Sequence, residues 1–245
     1  DLEKAVGGGV MQMMTNTGQS CNAPSRMFVQ KDQQDQAIAI AKAAAESVKV
    51  MMPGEASPGA IGPISNGNQY QKVQDLIETG IKEGATLVAG GPGRPEGFNK
   101  GYFARPTVFA NVTNDMTIAR EEIFGPVLPM LTYQSLEELI GNLKKLPEYP
   151  LALYLFTNSD QVERQVLDNT QFGGGCINNT VMHVANPNLP FGGVGESGMG
   201  AYHGKNSFDA FSHKRSILKA TTLFDIKFRY APYKDKVNLI KKMIK

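Results

Sequence analysis

The chain has only two cysteines, Cys21 and Cys176, among 245 residues. Two are too few for a disulfide framework, so both are expected to be free thiols in a reducing compartment. No apolar run approaches the roughly 18 residues of a membrane span. No secretory leader or lipidation motif is visible. Together these absences give the expectation of a cytoplasmic protein without a membrane span. Neither sign of charge is in large excess: 25 Lys+Arg stand against 23 Asp+Glu, a net of +2. Nothing in that balance implies a nucleic-acid partner. Only the stretch from Lys234 to Lys245 is lopsided, and it reads as a solvated helix face rather than a membrane-surface contact. Histidine is scarce as well. His183, His203 and His213 have spacings that match no metal motif, so no metal is expected and all three read as loop or surface residues. The 11 Met read as core filler. Asp1-Leu2-Glu3-Lys4 begins inside an apparent helix with no initiator Met, which reads as a piece of something longer.

What is present alternates between apolar runs of strand length and amphipathic helices. Residues 1–15 read as a helix weakened by Gly7, Gly8 and Gly9, and Thr15 to Cys21 as a polar turn. Strands are expected at 26–29, 85–89, 102–109, 127–133, 151–156 and 176–178, the last of them buried. Helices are expected from Asp32, as a cap, towards Val50; over 68–83, with Tyr70, Val73, Leu76, Ile77 and Ile81 on one face; from a Ser135/Glu138 capping box to about Lys145; and over 160–169. This alternation argues for βαβ units: an α/β fold with a mostly parallel sheet and flanking helices. The chain is large enough for one large domain or for one domain plus an appendage, and no linker is evident before about residue 208.

Three segments carry chemistry. Asn16-Thr17-Gly18-Gln19-Ser20-Cys21 surrounds a thiol with polar neighbours, poor company for a packed structural cysteine. A thiol that is exposed and partly deprotonated can attack a carbonyl, and its own backbone N–H can receive the developing oxyanion. Glu121-Glu122-Ile123-Phe124-Gly125-Pro126 offers a carboxylate for ribose hydroxyls and an aromatic for a flat ring, although taken alone it reads more readily as solvated acids at a helix end. Leu189 to Gly200, with Phe191-Gly192-Gly193-Val194-Gly195, is a tightly turned loop. Its formal GxGxxG lacks the strand–loop–helix context of a phosphate site and reads as structural.

In order and separation these segments resemble the nucleophile, acid–Phe–Gly–Pro and late Gly-rich segments of the aldehyde dehydrogenase superfamily, over essentially the whole chain. The resemblance implies the fold of that family's catalytic domain over 1–208 and a bridging or oligomerisation tail over 209–245. It implies Cys21 as nucleophile, with Asn16 and Gln19 supporting its loop and Arg26 as a structural partner. It also implies Glu122 and Phe124 against the ribose and nicotinamide of NAD or NADP, and Asn178 and Phe191 lining or bracing the pocket floor. Cys21 is then expected to lie open at the bottom of a channel. The implied reaction turns an aldehyde into a carboxylic acid through a thiohemiacetal and a thioester on Cys21. One oxyanion donor in such a site is worth roughly 3 kcal/mol, about a hundredfold in rate.

The family's general base, second oxyanion donor and dinucleotide-binding domain precede the nucleophile by more sequence than this chain contains. The isolated chain is therefore expected to be weakly active or inactive, and the missing half is an expected partner. Leu128 onward resembles the dimeric class 3 branch, whereas Gly90 to Pro106 resembles longer tetrameric branches. A homo-oligomer follows, with a dimer favoured over a tetramer and Arg215 to Leu218 as an intersubunit strand. A natural intermediate and a recombined sequence both fit that mixture. Two other functions stay open: a CoA-acylating dehydrogenase using the same cysteine, and a non-catalytic fragment or oligomerisation scaffold.

Overall fold

The computed structural model describes all residues except 56, 146–148, 234, 235, 244 and 245. It divides into Asp1–Ala210 and Phe211–Lys245. In the first unit a π-helical turn, Glu3–Gly7, runs into α1, Gly8–Met14. There follow β1 (Met27–Gln30), α2 (Gln34–Ser47), α3 (Gly67–Lys82), β2 (Thr86–Ala89), β3 (Thr107–Val112), α4 (Thr117–Arg120) and β4 (Val127–Tyr133). The unit ends with α5 (Leu136–Lys145), β5 (Ala152–Leu155), α6 (Asp160–Asn169), β6 (Gly174–Ile177) and α7 (Gly204–Ala210). The second unit holds the helix α8, Val237–Met243, preceded by a chain with Leu218 and Leu223 exposed.

One sheet has the order β1-β4-β3-β2 and a second pairs β5 with β6. All pairings are parallel except β2 with β3. The fold is thus α/β with a mostly parallel sheet, as the alternation of elements predicts. β4 sits inside the larger sheet, and Val127 to Leu131 are buried without a break. Such a run reads as continuous rather than alternating because both faces are covered. Its side chains still divide by the period of two. Leu128 and Met130 join Val108, Met13, Met14, Ile40 and Ala41 in one core, under α1 and α2. Val127 and Leu131 join Phe109, Val73, Ile77 and Ile118 in the other, under α3 and α4.

Several boundaries differ from the sequence reading. The strand expected at 102–109 lies at Thr107–Val112. Pro106 has no N–H to give a ladder, and strand pairing starts directly after it. Asp32 caps nothing: it lies in a 3-10 turn, Lys31–Gln33, and α2 begins without a side-chain cap. Asn66 caps α3, its side chain accepting from the Gln69 N–H at 2.9 Å. Ile81 is exposed, so the buried face of α3 ends at Gly80. At α5, Ser135 accepts from the Glu138 N–H, but Glu138 reaches the Gln134 N–H instead of closing a capping box. β6 begins two residues earlier than expected and is half-buried, not buried. Among the described residues no helix is long and apolar enough to cross a membrane.

Candidate active site

The Cys21 segment begins where α1 stops. Asn16 (φ 54°), Thr17 (φ 59°) and Gly18 (φ 68°) are three successive left-handed residues. For the two non-glycine residues this costs roughly 1–2 kcal/mol each, so the neighbours must hold them. Asn16 Nδ2 donates to the Gln19 carbonyl at 3.1 Å, and Gln19 Nε2 returns a bond to the Asn16 carbonyl at 3.2 Å. Thr17 is buried and its hydroxyl donates to the Gly62 carbonyl. Gln19 Oε1 accepts from the Ser65 N–H at 2.8 Å, tying the turn to the loop before α3. Beyond it Ser20 to Ala23 form a further turn, closed by Ala23 N–H to the Ser20 carbonyl at 2.9 Å. Cys21 is exposed and free at its corner. Among the described residues the Cys21 N–H has no hydrogen-bond acceptor.

The second segment packs backbone to backbone against the first. A Cβ on Gly18 would run into the Gly125 carbonyl, and one on Gly125 would run into Val73 of α3. Arg26 adds a second tie, donating from Nη1 to the Ala119 carbonyl at 3.1 Å. Two residues that sequence reasoning missed fix the acid segment from α3. Gln69 Nε2 donates to the Ile123 and Phe124 carbonyls at 2.9 and 3.0 Å, and Lys72 Nζ donates to the Glu122 carbonyl at 2.7 Å. They are three apart, one helical turn, which is the signal that could have marked them. Phe124 is half-buried in the left-handed region at φ 53°. Glu122 is exposed and, among the described residues, its carboxylate accepts no hydrogen bond.

The third segment reaches Cys21 through aromatic residues. Phe191 is 9% exposed and bridges Tyr202 through two 3.0 Å backbone bonds. Its ring centroid lies 5.8 Å from that of His183, which lies 5.9 Å from that of Tyr154. The Tyr154 hydroxyl donates to the Asn22 carbonyl at 2.6 Å. Asn178, exposed, spends its side-chain amide on Thr157, accepting from the N–H at 2.9 Å and donating to the carbonyl at 2.8 Å. It braces the ends of β5 and β6.

One expectation needs correction. His183 is a loop residue but only 6% exposed, with Nδ1 3.5 Å from the Cys176 sulfur and Nε2 buried without a partner. Phe191, Tyr154 and Cys176 enclose it, which its sequence neighbours do not reveal. Cys21 is open, as expected. A hollow of about 550 Å³ lies between α3 and α4, lined by Asn68, Lys72, Asp75, Leu76, Thr117 and Glu121, and Cys21 is not in its wall. Among the described residues no cluster could hold a metal ion.

Burial lowers the pKa of His183 below its ordinary value of 6.5. The unfolded chain then binds a proton that the folded one resists, so this histidine costs stability as pH falls below about 6.5. The urea midpoint is expected to drop more steeply between pH 7.5 and 5.5 in the wild type than in His183→Gln. Parallel slopes would show that protonating His183 is not resisted.

A model of the aldehyde dehydrogenase family matches residues 1–217. The chain is 40% identical over 232 residues to 4,4'-diaponeurosporen-aldehyde dehydrogenase of Staphylococcus aureus, covering 94% of this chain and 48% of that protein. Among solved structures, Mycobacterium tuberculosis aldehyde dehydrogenase complexed with NAD+ superposes with a TM-score of 0.83 at 34% identity, over 92% of this chain and 45% of that one. A Pseudomonas syringae aldehyde dehydrogenase mutant in complex with NAD+ and octanal gives 0.79 at 37% identity, over 86% and 42%. The chain spans about half the length of the curated relatives it matches. With the family model over most of its length and relatives of this identity, the chain belongs to the aldehyde dehydrogenase family.

Proposed function

We propose that this chain is the nucleophile-bearing part of an enzyme that oxidises an aldehyde to a carboxylic acid, with Cys21 forming the covalent bond. One observation carries the reading. Cys21 is an exposed thiol on the turn just after the strained stretch Asn16–Gly18, which packs against the Glu121–Pro126 segment through Gly18 and Gly125. A thiolate at that corner adds to the carbonyl carbon, and its proton is lost to solvent or to a base. The free Cys21 N–H donates to the oxygen as it gains charge.

The residues present fit one end of a dinucleotide: the unpaired Glu122 carboxylate suits two ribose hydroxyls, and Phe124 offers an aromatic face beside it. Glu122 and Phe124 would hold NAD or NADP there. The chemistry supplied by that group, when bound, is a hydride acceptor for the carbon attached to Cys21. The acyl group is then a thioester on the Cys21 sulfur. Water cleaves it to the acid and frees the thiol. Asn16 and Gln19 keep the loop in place through the cycle, and Asn178 and Phe191 brace the strands and loop beneath it. Self-association through residues 209–245, as a dimer, belongs to the same reading.

The test uses the full-length protein that carries this chain, with octanal and NAD or NADP. Reduction of the nicotinamide with octanoate as product is the expected result. Iodoacetamide is expected to alkylate Cys21 at least about tenfold faster than Cys176 and to stop turnover in proportion. Full alkylation of Cys21 with undiminished octanoate formation would sink the assignment.

A further inference from the structure

We propose that Tyr154 is a positioning residue for Cys21: its hydroxyl holds the Asn22 carbonyl and so fixes the peptide that follows the nucleophile. The proposal rests on Cys21 being the nucleophile. No sequence motif points to Tyr154, which lies 132 residues from Asn22 inside the apolar run of β5.

The ring is walled in before it reaches the turn. In the parallel register Tyr154 lies opposite Cys176 of β6. His183 meets the ring at 5.9 Å between centroids and contacts the Cys176 sulfur at 3.5 Å. His183 in turn leans on Phe191. The phenol is thus aimed by both small-sheet strands and the late Gly-rich segment. A phenylalanine would fill nearly the same volume, so what the hydroxyl adds is the 2.6 Å bond to Asn22 and a backbone hydrogen bond with Val181. Burial pushes the Tyr154 pKa well above its ordinary value of 10; negative charge at the Cys176 sulfur adds to the rise, and a backbone hydrogen bond with Val181 partly offsets it. It therefore remains a proton donor at neutral pH.

The effect on Cys21 follows from the turn. Cys21 and Asn22 are the two central residues of Ser20–Ala23. Among the described residues no hydrogen bond holds the exposed Cys21 side chain, so its place depends on the backbone on either side. Upstream that backbone is held by Gln19 on the Ser65 N–H at 2.8 Å. Downstream it is held by Tyr154. With one end released, the turn can swing the sulfur, and a misplacement near 1 Å costs as much as about a hundredfold in such reactions.

The test compares Tyr154→Phe with Tyr154→Leu. In Tyr154→Phe, amide hydrogen exchange over residues 21–25 is expected to rise about tenfold, as for loss of one buried hydrogen bond, with exchange in β3 and β4 unchanged. In the full-length protein kcat is expected to fall about tenfold while KM stays within about twofold. Tyr154→Leu should add little further loss in kcat. A merely structural ring predicts the reverse, a silent Tyr154→Phe and a damaging Tyr154→Leu, and that pattern overturns the proposal. Unchanged exchange at 21–25 in Tyr154→Phe overturns it as well. Failure of the catalytic reading appears separately, as wild-type turnover that survives alkylation of Cys21; there the exchange data still decide whether Tyr154 holds the turn.

Discussion

Cys21→Ala is expected to lower kcat of the full-length protein at least about 10⁴-fold, the scale on which enzymes lose rate when their covalent nucleophile is removed. The size of the loss follows from what the methyl group cannot do. Without a sulfur there is no covalent adduct, and the bond-making that splits one hard step into two easier ones disappears. Cys21→Ser should fall almost as far, because a hydroxyl is far less ionised near neutral pH than a thiol. The fold should not notice either change: the side chain is exposed, and surface substitutions of this kind move stability by about 0.5 kcal/mol or less. The measurement is steady-state turnover alongside a thermal melt. If Cys21→Ala retains a tenth of the wild-type rate with an unchanged melt, the covalent mechanism is wrong and Cys21 is a bystander.

Much of the fold was legible because local pattern and tertiary role agree. β4 and α6 lie where the apolar run and the helix were expected, and α3 differs by one residue at each end. β3 was misplaced because Phe103 and Ala104 are as buried as strand residues, yet the ladder waits for the residue after Pro106. Within the candidate site, Asn16, Gly18 and Gln19 were readable as one segment because their bonds close within a few residues or belong to the backbone. Tyr154 and His183 were not. Their meaning comes from partners across the chain, at Asn22 and Cys176, and a tyrosine in an apolar run or a histidine in a loop carries no local mark of such a partner. Gln69 and Lys72 fall between these cases. Their helical spacing is visible in the sequence, but the carbonyls they hold lie some fifty residues on.

Gly18→Ala is expected to destabilise the protein by at least about 3 kcal/mol, whereas Gly8→Ala, only ten residues earlier, should stabilise it by roughly 0.5–1 kcal/mol. The opposite signs follow from backbone and space. Gly8 has a helical φ of −61° and an added Cβ would meet nothing within 4 Å, so alanine only removes freedom from the unfolded chain. Gly18 has φ 68°, which costs an alanine roughly 1–2 kcal/mol before any contact is considered. Its Cβ would then strike the Gly125 carbonyl, a backbone atom with no rotamer to change. Gly125 cannot retreat, because Val73 lies behind it in the core under α3. Relief comes from parting the two segments, which loosens the hold on the Cys21 turn and shifts the Glu121–Pro126 segment. Gly18→Ala should therefore lose stability and turnover together, while Gly8→Ala gains the first and keeps the second. Urea midpoints of the two variants, read beside kcat, decide the matter. A Gly18→Ala protein as stable and active as wild type would mean that the contact between the nucleophile turn and the acid segment is not what holds the site.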